Sequence, residues 1–125
     1  MNTVNLEEKF AKLTDYWHPR IIGELNDSHV KLAKLKGEFV WHMHKDEDEL
    51  FFVVKGTLKI CIRDGEEGCT RTLIIQSGEF VIIPKGVEHY PIAEEEVHVL
   101  LIEPKSTINT GNVRNERTLE EAEWL

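Results

Sequence analysis

The sequence predicts an all-β domain, a small sandwich or barrel, and three observations lead there. Residues 20–104 break into short apolar segments set between turn signals, at the length and spacing of strands. No helical segments alternate with them, which argues against a parallel, doubly wound sheet. Where the pattern is cleanest the period is two. Leu58, Ile60 and Ile62 share one face, while Thr57, Lys59, Cys61 and Arg63 share the other, as in a strand with one wet side.

The elements follow in order. Leu6, Phe10 and Leu13 recur at helical spacing, and Asn5 with Glu8 can form a cap pair, so residues 5–13 are expected to form a short amphipathic helix outside the domain. The run Tyr16-Trp17-His18-Pro19 ends it, and residues 1–19 form a lead-in. Strands are expected at 20–26, 29–35, 39–44, 49–54, 58–63, 70–75, 80–83, 89–93 and 97–103. Their turns are marked by Asn26-Asp27-Ser28, Gly37, Lys55-Gly56, Asp64-Gly65, Gln76-Ser77-Gly78, Pro84 and the acidic run Glu94-Glu95-Glu96. The barrel spans residues 20–105. Residues 106–125 read as a polar tail in which Thr118 and Glu121 form a capping-box pattern. A short helix is expected there, with Trp124 and Leu125 docked on the barrel or on a neighbour.

With 125 residues, 41% of them hydrophobic and 30% charged, the chain can bury one core without disulfide staples. The net charge of −8 argues against nucleic acid and against an anionic membrane surface, since both recruit Lys and Arg. The start of the chain carries neither the basic residues nor the apolar run of a secretory signal. Two cysteines, Cys61 and Cys69, suit a reducing cytoplasm with both thiols free. The segments 50–54 and 97–102 are apolar on almost every position, so both of their faces need cover. One face fills the barrel, and a partner subunit could supply the second layer, which predicts a homodimer.

The residues that point to chemistry begin at His42 and His44. On a strand these share a face, and two imidazoles on one face are poor packing partners for a dry core but good ligands for a divalent cation. The polar turn Lys45-Asp46-Glu47-Asp48 follows. Glu49 then opens the next strand, in phase with the inward positions Phe51 and Val53; Glu47 is the rival carboxylate. Two histidines and a carboxylate with open positions suit Fe, Mn, Ni, Co or Zn, and His89 can add a fourth ligand. His18, His29 and His98 lack such company, and His98 is expected to be a hydrogen-bonded structural residue.

At these residues the sequence resembles the cupin superfamily. Gly37, His42, His44, Glu49 and Gly56 follow that family's first motif; Gly78, Pro84, Gly86 and His89 follow its second. Gly37 stands one residue nearer to His42 than the usual pattern, and Ala93 replaces the Asn that closes the second motif. The resemblance covers residues 20–104 and is closest to compact single-domain members of the mannose-6-phosphate-isomerase-like kind. It implies a double-stranded β-helix, or jelly roll, that is often dimeric. It also implies one divalent metal inside the barrel, held by His42, His44, Glu49 and His89, with the motif spacing favouring Glu49 over Glu47. The function to expect is that of a metal-dependent oxygenase or isomerase acting on a small organic molecule. The alternative is a non-catalytic module that binds a small molecule, or a scaffold.

Overall fold

The computed structural model describes residues 1–64 and 68–125, and the Gly65 half of the turn expected at Asp64-Gly65 lies outside them. One helix, α1 (Leu6–Phe10), precedes eight strands: β1 (Arg20–Leu25), β2 (Ser28–Glu38), β3 (Glu49–Lys55), β4 (Thr57–Arg63), β5 (Arg71–Gln76), β6 (Phe80–Ile83), β7 (Glu88–Pro104) and β8 (Glu123–Trp124). Asn5 caps α1 by accepting from the Glu8 amide at 2.9 Å. No helix among the described residues is long and apolar enough to cross a membrane.

β7 organises the architecture. Its 17 residues run straight through the acidic triplet expected to be a turn. The inward phase explains this: His89, Pro91 and Ala93 before the triplet and Val97, Val99, Leu101 and Glu103 after it are buried on the same phase, which gives way at the exposed Glu95, where the register with β2 shifts. The triplet lies on the surface of a continuous strand, where Lys59 binds Glu94 at 2.6 Å, and Tyr16 and His98 both bind Glu96 at 2.7 Å. β7 pairs with β4 through its first half and with β3 through its second, while β2 runs beside it from Ser28↔Pro104 to Glu38↔Ile92. The remaining strands extend these pairings, β5 on β4, β6 on β3 and β1 on β2.

The inner faces form one core around Val53, Leu58, Ile60, Val97 and Val99, all 0% exposed. Fully burying side chains of this size contributes about 2 kcal/mol each. Part of the outer face is covered from within the chain: Phe10 and Leu13 close over Leu32, with Leu100 and Val54 beside them. His98 belongs to this layer, its ring stacked on Phe10 and its Nε2 on Glu96, in the structural role expected of it.

Two further expectations are corrected. Residues 39–44 do not form a strand; they keep only an isolated bridge between His42 and His89. The reason lies in the tail, because the Met43 amide donates to Asn112 Oδ1 at 2.9 Å and the Met43 carbonyl accepts from the Asn112 amide at 3.1 Å. A neighbouring strand would need those same groups. The tail itself holds no helix at 118–125. Thr118 Oγ1 accepts from the Asn115 amide and bonds Thr110 Oγ1, closing a loop, and β8 then pairs in parallel with β1. Leu125 packs against the α1 layer, whereas Trp124 stays exposed.

Candidate metal centre

Four side chains predicted from the sequence meet inside the barrel: His42, His44, Glu49 and His89, all buried. Glu49 opens β3 on its inward phase, His89 is the second residue of β7, and the His42–His89 backbone bridge locks the two histidine segments together, N–H to O, at 3.1 and 2.9 Å. One donor atom from each residue lies within 4.8 Å of all the others. His44 Nε2 and His89 Nε2 stand 3.4 and 3.5 Å from Glu49 Oε1. Glu47, the rival carboxylate, turns outward and accepts from Ser106.

Second contacts set the ring orientations. His42 Nδ1 bonds the Val40 carbonyl at 2.9 Å and His89 Nδ1 bonds the Val87 carbonyl at 3.0 Å. A carbonyl oxygen only accepts, so each Nδ1 carries the proton and each Nε2 presents a lone pair to the centre. Among the described residues, His44 Nε2, His89 Nε2 and Glu49 Oε1 have no hydrogen-bond partner although all three are buried. Buried polar atoms without partners are costly. Their donor types, and a mutual spacing close to the ~3 Å expected of ligands held ~2.1 Å from one ion, fit a single divalent transition ion.

The electrostatics agree. Burial first, and then the neighbouring His89, lower the His42 imidazole to about 3, so the ring is neutral at ordinary pH. Burial works to raise the Glu49 carboxyl, but the neighbouring Glu103, and then His44 and His89, hold it well below its ordinary range. Glu49 is therefore an anion beside the neutral His42 imidazole, a charge state that suits a cation.

Sequence reasoning missed several residues around this cluster. Glu103 is 3% exposed and sits beside Glu49. Burial first, and then the Glu49 charge, push its carboxyl well above the ordinary range, against the pull of Lys31. Lys31, 4% exposed, donates to Glu103 Oε1 at 2.9 Å. Both were legible by parity: Lys31 shares its face of β2 with Ala33 and Leu35, and Glu103 shares its face of β7 with Val99 and Leu101. On a regular strand Phe39 would point away from His42. Because 39–44 is not a regular strand, it instead meets the His42 ring edge-on at 5.4 Å and stacks on Trp17 at 4.9 Å. Trp17 and Phe39 line a cavity whose other walls include Leu35, Phe51, Leu101 and Pro91, and which reaches His42, Glu49 and Glu103.

Comparison with known proteins gives three findings. The family model described as "Cupin domain" matches residues 28–103. The crystal structure of a cupin-2 domain containing protein from Shewanella frigidimarina NCIMB 400 is 48% identical, superposes with a TM-score of 0.74, and is matched over 81% of this chain and 93% of its own. Among curated sequences, YdbB of Bacillus subtilis (strain 168), itself uncharacterized, is 43% identical over 68 residues, which are 54% of this chain and 56% of that protein. Acireductone dioxygenase of the same organism is 28% identical over 78 residues, 62% of this chain and 43% of the enzyme. The chain thus spans about half the length of the curated relatives it matches.

Proposed function

The chain belongs to the cupin domain family, and from that premise we propose that it is a metal-dependent enzyme of the oxygenase class, acting on a small organic molecule within the barrel. The observation that carries this reading is the convergence of buried, unpartnered nitrogen and oxygen donors from His44, Glu49 and His89, with His42 beside them. The stretch shared with acireductone dioxygenase favours an oxygenase over an isomerase.

The ligands would be His42, His44, Glu49 and His89, and an iron, manganese, nickel, cobalt or zinc ion held there would supply Lewis-acid or redox chemistry to a substrate oxygen. The chain's own contribution is orientation and exclusion. The Val40 and Val87 carbonyls fix the imidazoles, and the walls of Phe39, Phe51 and Leu101 keep bulk water from the substrate. Elemental analysis of untagged protein is expected to find about one transition-metal ion per chain. A redox-active ion should be accompanied by oxygen uptake when small oxygenated substrates are screened. Protein that holds no metal even after reconstitution would overturn the reading. Metal-dependent capture of a ligand that is recovered unchanged would replace it with a binding barrel.

The outer face of β3 and β6 carries Leu50, Phe52, Phe80 and Ile82 around the β3–β6 pairing, with Phe80 at 62% and Ile82 at 50% exposure. α1 covers the neighbouring face but not this one. A second copy of the chain is the proposed cover, giving a homodimer. Sedimentation is expected to show a dimer for the wild type and a monomer for Phe80→Lys/Ile82→Lys. An unshifted variant would exclude this face.

A further inference from the structure

The barrel interior holds a second polar element that the four-residue cluster does not use. Lys31 and Glu103 are inward-facing residues of β2 and β7, buried to 4% and 3% exposure and joined at 2.9 Å. Stability does not account for them. Taking such polar groups out of water is costly, and a well-packed apolar pair of the same volume is commonly as stable or more so. Glu103 borders the cavity beside His42 and Glu49, and its buried Oε2 has no hydrogen-bond partner among the described residues. Asn109 also lines the cavity, but its amide is spent on Arg117 and Leu119. The remaining walls are apolar.

We propose that the Lys31–Glu103 pair is a recognition subsite that reads a hydroxyl group of a small, uncharged, otherwise apolar molecule, whose neighbouring oxygen faces the histidine cluster. This rests on the metal-dependent reading above. Lys31 anchors the Glu103 carboxyl through Oε1 and leaves the buried Oε2 to bond a ligand hydroxyl. Glu49 and Glu103 line the same small cavity, and Glu49 Oε1 lies 3.4 and 3.5 Å from the His44 and His89 nitrogens, so the two oxygens of the ligand are placed on adjacent carbons. An anionic ligand is disfavoured, because Glu49 and Glu103 both line this space and no Lys or Arg is among its described lining residues. Size is limited as well. The space open to the centre of a water-sized sphere is about 40 Å³, room for a few waters at ~10–15 Å³ each.

Hydroxyacetone and 2-butanone form a matched probe pair, differing only by a hydroxyl in place of a methyl. Their affinities are to be measured by saturation-transfer NMR on the full-length, zinc-reconstituted protein, with zinc content assayed in the same samples. A site built to bond a hydroxyl rejects the analogue that lacks it, so hydroxyacetone is expected to bind about 10-fold tighter to the wild type. The preference should vanish or invert in Lys31→Met/Glu103→Leu, which exchanges the pair for apolar side chains. Glu103→Gln, the gentler variant, should reduce it about 3-fold or more by replacing the carboxyl with an amide of different hydrogen-bonding pattern. Zinc-loaded wild type that fails to discriminate, or variants that retain zinc and the full preference, overturn the subsite alone. Wild type that takes up no zinc or other transition metal overturns the metal reading on which the subsite rests.

Discussion

His42→Ala/His44→Ala is expected to reduce bound transition metal from about one ion per chain to background. The two rings supply half of the four donors, and their loss leaves Glu49 and His89 with no second imidazole near them. The effect on stability should be as large. An ion that binds only the folded chain stabilises it by about 2.7 kcal/mol when present at 100 times its dissociation constant, which for a domain of this size is roughly 10 °C in melting temperature. Calorimetry with and without a strong chelator reads this directly. The wild type should lose about that much on chelation, and the double variant should be insensitive. A wild type whose melting temperature ignores the chelator, with metal content unchanged in the variant, would remove the cluster from any role in binding.

Gly111→Ala should be the most damaging single-methyl change in the tail. Gly111 has φ +56, and a Cβ there would lie 2.2 Å from the Met43 carbonyl oxygen and 3.2 Å from His42 Cδ2. The contact is with backbone, so the tail must move away from the segment that carries both histidines. A cost of about 3 kcal/mol is expected, together with weaker metal binding. Gly78→Ala is the control. Its φ is also positive, at +88, but a Cβ there meets nothing within 4 Å, so only the backbone penalty of about 1 kcal/mol applies. Equal melting temperatures for the two variants would mean that the tail yields freely and does not hold the His42–His44 segment.

These expectations show how much of the molecule could be read from its residues. The cluster was legible because each of its clues is local: two histidines two apart, a carboxylate opening the next apolar run, and a histidine behind a Gly-Pro-Gly frame. The strands were legible wherever the two-residue period was clean, as in β4. What escaped depends on partners distant in sequence. Met43 leaves the sheet because Asn112 claims its backbone groups, and nothing near residue 43 says so. The acidic triplet reads as a turn by composition, yet the inward phase is the same on either side of it, and that phase was the stronger signal. Lys31 and Glu103 followed the same phase. They were passed over because charged residues near strand ends ordinarily face water, and their mutual pairing across 72 positions becomes visible only when β2 lies against β7.

The central place of β7 also dictates when this chain can fold. β2, β3 and β4 do not pair with one another; each finds its partner in residues 88–104. Contacts such as His29↔Glu103 close very long loops, a topology that folds slowly. During vectorial synthesis, the first two-thirds of the polypeptide can form only the β1–β2, β3–β6 and β4–β5 pairings, and the barrel cannot close until β7 emerges. Because β7 also delivers His89, the donor set is completed only by the step that closes the barrel. An ion therefore has a whole site to enter only after the chain has committed to its fold.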